Sequence, residues 1–152
     1  MDNLSKSSSA EQMLAEDTMF PLVEQVVGAK LEKNRKIFLS DNAFTYIQPD
    51  FYSEESLIIG EIFAHIGKPK KAQNNKIAND ILKMLLLEQI TGKHFRKIIA
   101  VCDKAEAEKL RGMSVLAESI RQFQIEVIHI DIDAQLRKIL MDAQKRQRMT
   151  NA

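Results

Sequence analysis

The sequence contains few of the residues that mark exported, membrane-bound or disordered chains. Its 152 residues include one cysteine, five glycines, three prolines and no tryptophan. A single cysteine cannot close an internal disulfide, so nothing requires an oxidising compartment, and so few glycines and prolines leave little room for long irregular segments. No apolar run approaches the roughly 20 residues of a membrane span, and the sequence does not open with the basic and apolar order of a secretory signal. We therefore expect a cytoplasmic protein with no membrane contact.

A strong charge of one sign is also missing. There are 22 lysines and arginines against 21 aspartates and glutamates, which gives a formal net charge of +1. This balance provides no overall field to attract a polyanion, so any contact with nucleic acid must depend on local basic patches. Three such patches are present, each of which alone is typical of a solvated face: Lys68, Lys70 and Lys71; Lys93, Arg96 and Lys97; and Lys145, Arg146 and Arg148.

The patterning that is present predicts an α/β fold. Residues 1–9 are polar and Ser-rich and predict a flexible tail, whereas residues 10–152 have the composition of a single domain. We expect a mixed central β-sheet flanked by helices, in the order α-β-β-β-α-β-α-β-α. A helix interrupted at Pro21 precedes three antiparallel strands. The predicted ranges are 10–33 for that helix, 36–66 for the three strands, 71–90, 105–124 and 134–148 for the later helices, and 97–102 and 125–132 for the later strands.

Glu61 is the most informative residue of the chain because it interrupts an apolar strand. Alternation places Leu57, Ile59, Phe63 and His65 on the same face as this carboxylate. A carboxylate in an apolar setting needs a cation, a set of hydrogen-bond donors or a metal ion as a partner, which makes Glu61 a candidate site residue. A structural ion pair or an edge-strand position open to water would explain it equally well.

Asp50 favours the site interpretation. Ten residues separate it from Glu61, so in a hairpin the two carboxylates could lie side by side on adjacent strands. Two carboxylates held together repel each other unless a divalent cation or a proton lies between them, and such oxygen ligands suit Mg²⁺ or Mn²⁺. The alternative is that Asp50 is a turn residue bonded to its own backbone, which is common after proline.

Pro49, Asp50 and Glu61, within an α-β-β-β-α-β order, resemble the PD-(D/E)XK nuclease superfamily and its restriction-endonuclease-like fold. The resemblance covers roughly residues 20–132. It implies that Asp50 and Glu61 bind the divalent metal ion, that an acidic residue of the first helix assists, and that a lysine two positions after the glutamate helps to activate the attacking water.

The sequence departs from that pattern at the lysine, because Phe63 stands two positions after Glu61. Some members of the superfamily supply the amine from elsewhere, and Lys68, Lys70 and Lys76 are the candidates here. Lys76 is our choice for the catalytic amine, since it lies with Gln73 on one polar stripe of the following helix, where the first turn can face the strand.

Further residues have less specific interpretations. Glu24, on the flank of the first helix, is the candidate for the third acid, although an ordinary solvated glutamate explains it as well. His65 could accept a proton from water or bind a softer metal, but a histidine at a strand end is more often a boundary residue. Asp80 and Lys83 continue the polar stripe and are interpreted as its solvated side.

The sequence therefore predicts a metal-dependent nuclease or phosphodiesterase that acts on nucleic acid, with DNA favoured over RNA, and for which a homodimer would suit two-fold cutting of duplexes. The main alternative is a catalytically inactive module of the same fold, for nucleic-acid binding or protein assembly. Its final helix would then serve association through an apolar stripe. A third alternative, a small-ligand sensor, requires a pocket at the carboxyl ends of the parallel strands. The apolar stripe of the final helix, on which the assembly alternative depends, consists of Leu136, Ile139, Leu140 and Ala143.

Overall fold

The structure, a computed structural model, describes residues 3–40, 44–67 and 70–151. These residues form a mixed five-stranded sheet with helices on both faces, which confirms the predicted α/β class. The helices are α1 (Asn3–Val27), α2 (Lys71–Thr91), α3 (Lys104–Leu110), α4 (Val115–Gln122) and α5 (Ala134–Asn151). The strands are β1 (Glu32–Lys33), β2 (Ile37–Phe38), β3 (Tyr46–Ile47), β4 (Phe51–Ser53), β5 (Ile58–Phe63), β6 (Arg96–Val101) and β7 (Ile125–His129).

The central sheet has the strand order β1-β4-β5-β6-β7. The pairs β1–β4 and β4–β5 are antiparallel, whereas β5–β6 and β6–β7 are parallel. Helix α2 connects β5 to β6, and α3 with α4 connects β6 to β7, as crossovers between parallel strands require. Strand β5 is therefore the place where the antiparallel and parallel halves of the sheet meet.

Alternation along β5 divides its side chains between two cores. Ile58 and Ile62 pack with residues of α1 and α5 on one face of the sheet. Ile59 and Phe63 pack with residues of α2, α3 and α4 on the other. Because side chains two positions apart share a face, Glu61 lies on the α2 face between two buried apolar neighbours.

Gly60 fixes the register of β4 against β5. It pairs with Phe51, and a Cβ atom built at Gly60 would overlap the Phe51 ring. Only a glycine allows the ring to lie over the neighbouring strand in this way. The next pair in the same register is Asp50 with Glu61, so this contact sets the position of both carboxylates.

The first helix differs from its predicted range at both ends. It begins at Asn3, inside the segment predicted as a flexible tail, and it continues through Pro21. It ends at Val27 because Gly28 adopts a left-handed φ of 76° and donates its N–H to the carbonyl oxygen of Glu24 at 2.8 Å. The residues predicted as its last turn instead leave the helix and form β1.

The strands predicted between residues 36 and 66 are also arranged differently. Strands β2 and β3 pair only with each other in the described chain, and the turn predicted at Asp41 and Asn42 lies outside the described residues. The partners in the central sheet are β1 and the short β4, which the sequence pattern does not predict. All three residues of β4 are buried, so β4 lacks the apolar and polar alternation that marks a half-buried strand.

The helix predicted over residues 105–124 is two helices. Helix α3 ends before Arg111, and α4 starts after Ser114, whose Oγ accepts the N–H of Ala117 at 3.1 Å. A serine cap shortly after Gly112 is a signal for a new helix that the prediction of one long helix overlooks.

The apolar stripe of the final helix is used inside the chain. Leu136, Leu140 and Ala143 are buried, and both leucines pack in the core that also contains residues of α1. This corrects the expectation that the stripe serves association, because these three side chains are already covered. None of the helices in the described part of the chain has the length and apolar character that a bilayer crossing requires.

Glu106 provides a test of the packing around α3. Its side chain is 0% exposed, and neither carboxyl oxygen has a hydrogen-bond partner within the described chain. Burial, with a smaller contribution from Asp103, raises the pKa of Glu106 from 4.5 to about 9. The folded protein therefore retains a proton that the unfolded chain releases above pH 4.5, so this residue lowers the free energy of unfolding as the pH rises from 4.5 towards 9.

We expect Glu106→Gln to reduce this pH dependence. The free energy of unfolding of the wild type should fall faster between about pH 5.5 and 8 than that of the variant, by up to about 1.4 kcal/mol per pH unit. Urea unfolding followed by circular dichroism at several pH values measures the difference. Glu108→Gln, on an exposed position of the same helix, is the control and should behave as the wild type. Equal pH dependence in Glu106→Gln and the wild type would contradict the prediction.

Candidate active site

Asp50 and Glu61 lie opposite each other in the register of adjacent strands. The backbone N–H of Asp50 donates to Oε2 of Glu61 at 3.3 Å, and the N–H of Ile62 donates to Oδ2 of Asp50 at 2.7 Å. In the antiparallel register set by Phe51 and Gly60, both side chains lie on the α2 face. The two carboxylates thus lie side by side, as predicted from the sequence. Asp50 directly precedes β4.

The pair is held in an environment that disfavours its charges. Burial, followed by the charges of Asp50 and Asp80, raises the pKa of Glu61 far above its usual range. No lysine or arginine of the described chain lies within ion-pair distance of Asp50 or Glu61. The carboxylates therefore repel each other when both are charged, and a proton or an added cation would relieve that repulsion.

Two further acids lie close enough to act on this pair electrostatically. Burial raises the pKa of Glu16 on α1 to about 7, and the charge of Asp50 adds to the shift, whereas Lys76 opposes it. Asp80 on α2 is 8% exposed, and burial raises its pKa, with a contribution from Asp50. We call Glu16, Asp50, Glu61 and Asp80 the acidic cluster. Glu16 and Asp80 come from helices on opposite faces of the sheet, Glu61 comes from β5, and Asp50 directly precedes β4.

Two lysines of α2 act on the acidic cluster: Lys83 forms an ion pair with Asp80 at 3.8 Å, and Lys76 lies over Phe63. The amine of Lys76 is the one that the sequence predicts. Nζ of Lys76 lies 5.7 Å from the centre of the Phe63 ring, and its charge lowers the pKa of both Glu16 and Asp80. Phe63 is the residue two positions after Glu61, so the amine of Lys76 lies over the side chain that replaces the lysine of the PD-(D/E)XK pattern. A primary amine therefore lies near position 63, but it comes from α2 and not from β5.

The structure does not bring Glu24 to the acidic cluster. Its Oε2 accepts the N–H of Leu31 at 2.9 Å, which closes the turn between α1 and β1. The acid that α1 supplies is Glu16, eight residues earlier and about 12 Å away along the helix axis. Both glutamates follow a buried residue of the same apolar stripe, Ala15 or Val23, so the sequence offers the same local signal at both positions.

The other candidates have separate places. The N–H of Lys70 donates to Oε1 of Gln73 at 2.7 Å, so Gln73 caps the first turn of α2. His65 is buried, its ring stacks on Phe63 at 5.9 Å, and burial lowers its pKa, which favours the neutral imidazole. Lys68 lies outside the described residues. Asp80, interpreted from sequence as solvated, is buried and belongs to the acidic cluster.

A cleft of about 850 Å³ opens beside the acidic cluster. It lies between α1, the residues that follow β5, the first turns of α2, and α5. Glu16, Phe63 and Lys76 line the cleft and also belong to, or contact, the acidic cluster, whereas Asp50 and Glu61 are not among its lining residues. A ligand in the cleft would therefore contact Glu16 and Lys76 of this part of the molecule.

No protein-family model matches the chain, and neither a curated protein nor a solved structure matches it.

Proposed function

We propose that the chain is a divalent-metal-dependent nuclease of the PD-(D/E)XK superfamily, with a restriction-endonuclease-like fold. It would hydrolyse phosphodiester bonds of nucleic acid, DNA in preference to RNA, in the cytoplasm. The observation that carries the proposal is the pairing of Asp50 with Glu61 on neighbouring chain segments of the sheet, beside an amine that lies over Phe63. The order of α1, the antiparallel β1-β4-β5, α2 and the parallel β6 agrees with the architecture of that superfamily.

The donor atoms of this site suit Mg²⁺ or Mn²⁺. Asp50 and Glu61 offer carboxylate oxygens that repel each other unless a proton or a cation lies between them, and Mg²⁺ is commonly held by one or two carboxylates with water and substrate phosphate as the other ligands. In the described part of the chain, no group of three or more His, Cys, Asp or Glu residues is arranged to hold a metal ion. A site with two protein carboxylates agrees with this finding, whereas an all-protein cage would not.

When bound at these carboxylates, a divalent cation would acidify water and offset the charge of the phosphate. The side chains of the protein would then orient the reacting groups and stabilise the charge that develops. Asp50 and Glu61 orient the reacting groups, because their strands are fixed by the Phe51 and Gly60 contact. The ammonium of Lys76 stabilises the attacking oxygen and the negative charge that develops on the phosphate.

The arrangement around the carboxylates favours the enzyme over the inactive module. A module would be expected to neutralise Asp50 and Glu61 with a bridging lysine or arginine, and the described residues form no such ion pair. The ion pair that the cluster does form is between Lys83 and Asp80. Lys76, which also acts on the cluster, lies over Phe63 and lines the cleft. This leaves the carboxylates available for a metal ion and the amine available for a substrate.

The test is an incubation of labelled duplex and single-stranded DNA and RNA with the protein in Mg²⁺, Mn²⁺ or EDTA. We expect cleavage that requires a divalent cation and is lost in Asp50→Ala and in Glu61→Ala. The Glu24→Ala variant should cleave as the wild type does, because that side chain only closes a turn. Cleavage that survives both substitutions, or no cleavage of any substrate with either cation, would overturn the proposal.

A further inference from the structure

Helix α5 presents one polar face to the cleft. Four polar side chains of α5 and Met141 line it, and their spacing places all five on one side of the helix; the polar ones are Gln144, Lys145, Gln147 and Arg148. The adjacent apolar side of α5 is buried in the core. Helix α5 lies beyond the residues that resemble the PD-(D/E)XK pattern, so the cleft is completed by an element that the resemblance does not cover.

Gln144 holds this face of α5 in position. Its Oε1 accepts the N–H of Ile66 at 2.8 Å, and its Nε2 donates to the carbonyl oxygen of the same residue at 3.0 Å. Ile66 lies three residues after β5, so the amide pair connects the helix directly to the chain that leaves the strand of Glu61. An ion pair between Arg146 and Glu11 further joins α5 to α1. The wall of the cleft is therefore fixed relative to the acidic cluster.

Cations line two facing walls of the cleft. Lys70 and Lys76 come from the start of α2, Lys145 and Arg148 come from α5, and Glu16 is the one acidic residue among the lining side chains of the described chain. None of the four cations forms an ion pair with another described residue. Lys70, Arg148 and His65 all line the cleft, and the charges of Lys70 and Arg148 both lower the pKa of His65.

This charge distribution is local. The chain as a whole carries a formal net charge of +1, so the molecule has no general attraction for polyanions. A concave surface lined by one sign of charge focuses its field and raises the local concentration of ligands of the opposite sign. Lysines and arginines without an ion-pair partner on two facing walls are suited to successive phosphates of one strand, which approach as a row of charges.

We propose that the cleft binds the sugar–phosphate backbone of the nucleic acid next to the bond that is cut, with Lys145 and Arg148 of α5 as positioning residues. The proposal rests on the proposed function in its choice of ligand. It adds a binding surface and two residues that take no part in the chemistry.

The experiment measures binding without cleavage. Fluorescence anisotropy of labelled DNA and RNA oligonucleotides, single-stranded and duplex, is recorded in EDTA at several salt concentrations, with the full chain and with the K145Q/R148Q double variant. The matched control is K104Q/K109Q, which removes two exposed lysines from α3, outside the cleft. Thermal unfolding shows whether both double variants fold, which is expected because all four side chains are exposed.

We expect the affinity of K145Q/R148Q to fall by roughly tenfold or more, and the slope of log affinity against log salt to become shallower by about one for each phosphate that the variant no longer binds. The control should keep the slope of the wild type. Binding of either DNA or RNA with this behaviour supports the inference, because the phosphate backbone is common to both. An unchanged slope and affinity in K145Q/R148Q would overturn it, even if the wild type cleaves.

Two further outcomes separate the inference from the proposed function. If the wild type binds through the cleft but cleaves nothing with Mg²⁺ or Mn²⁺, the proposed nuclease is wrong and the binding surface stands. If ATP displaces the oligonucleotide at an equal concentration of phosphate groups, the cleft is a small-ligand site and the inference is wrong, because a strand that contacts several cations at once would resist a single triphosphate.

Discussion

Glu61→Gln is expected to abolish cleavage and, at the same time, to stabilise the fold. The metal-dependent cleavage rate of the variant should be lower by at least about 100-fold. Removing a residue that only supports a metal ligand costs up to about 100-fold, and Glu61 is proposed as a ligand itself. The free energy of unfolding of the variant at neutral pH should rise by about 0.5–2 kcal/mol. Both effects come from replacing an ionisable carboxyl group by a neutral amide of the same shape.

The expected stabilisation follows from the surroundings of the carboxylate. Glu61 lies between Ile59 and Phe63 on a largely buried face, and burial together with Asp50 and Asp80 disfavours its charge. A glutamine has the same shape and keeps an amide oxygen that can accept the N–H of Asp50. The substitution therefore removes the free-energy cost of keeping this carboxyl group protonated, or of burying its charge, and it leaves the hydrogen bond. This is the pattern of a site whose stability is reduced for function.

The measurements are a cleavage assay in Mn²⁺ and thermal unfolding with and without the cation. Mn²⁺ should raise the unfolding midpoint of the wild type, because a ligand that binds only the folded state stabilises it, and this shift should be absent in Glu61→Gln. Glu55→Gln, an exposed residue of the turn between β4 and β5, is the matched control and should change neither quantity. A Glu61→Gln variant that is less stable than the wild type and still cleaves would show that this carboxylate has a structural role.

Asp50→Asn should change activity and stability in the same direction as Glu61→Gln. Its side chain can still accept the N–H of Ile62, which Asp50 now accepts at 2.7 Å. The same cleavage assay and thermal unfolding measure both effects. If the two variants differed in sign, the carboxylates would not act as a pair, and the interpretation of a shared cation would be wrong.

The paired carboxylates could be predicted from sequence because the signals are local. A strand shows its two faces by alternation, so Glu61 is recognisable as an acid on an apolar face. A spacer of ten residues suits a hairpin. The register of that hairpin is then fixed by Gly60, because only a glycine at this position leaves room for the Phe51 ring. Local periodicity also located α2 within one residue at its carboxyl end.

The remainder of the acidic cluster could not be predicted in this way, because it depends on how helices lie across the sheet. Glu16 and Glu24 have equivalent places beside the apolar stripe of α1, and only the packing of α1 decides which turn lies near Asp50. Asp80 lies on the stripe that also carries Lys83, and polar residues on a helix flank are usually solvated. The packing of α2 against β5 buries it instead.

The second large effect is expected at Lys76. The cleavage rate of Lys76→Gln should be lower by about 10²–10⁴-fold. This is the usual contribution of a group that assists proton transfer or charge development at the reacting centre. Binding of Mn²⁺, followed by the shift of the unfolding midpoint, should persist, because the carboxylates remain. Lys93→Gln, an exposed lysine just after α2, is the matched control and should cleave as the wild type does.

The position of the catalytic amine can be tested by placing a lysine on β5 in place of Lys76. Because Nζ of Lys76 lies 5.7 Å from the centre of the Phe63 ring, a lysine at position 63 should bring its own amine close to the same place. We expect Phe63→Lys, combined with Lys76→Gln, to recover part of the cleavage rate. Thermal unfolding accompanies the assay, since Phe63 is buried and its replacement removes apolar packing.

Lys76→Met separates the amine from the packing of the alkyl chain. Methionine keeps a flexible apolar chain against Phe63 but carries no charge, so a reduction in rate equal to that of Lys76→Gln assigns the effect to the amine. This result holds even if the Phe63→Lys double variant does not fold. If Lys76→Met and Lys76→Gln both retain the wild-type rate, the catalytic amine lies elsewhere, and the position of Lys76 over Phe63 reflects only the packing of α2 on the sheet.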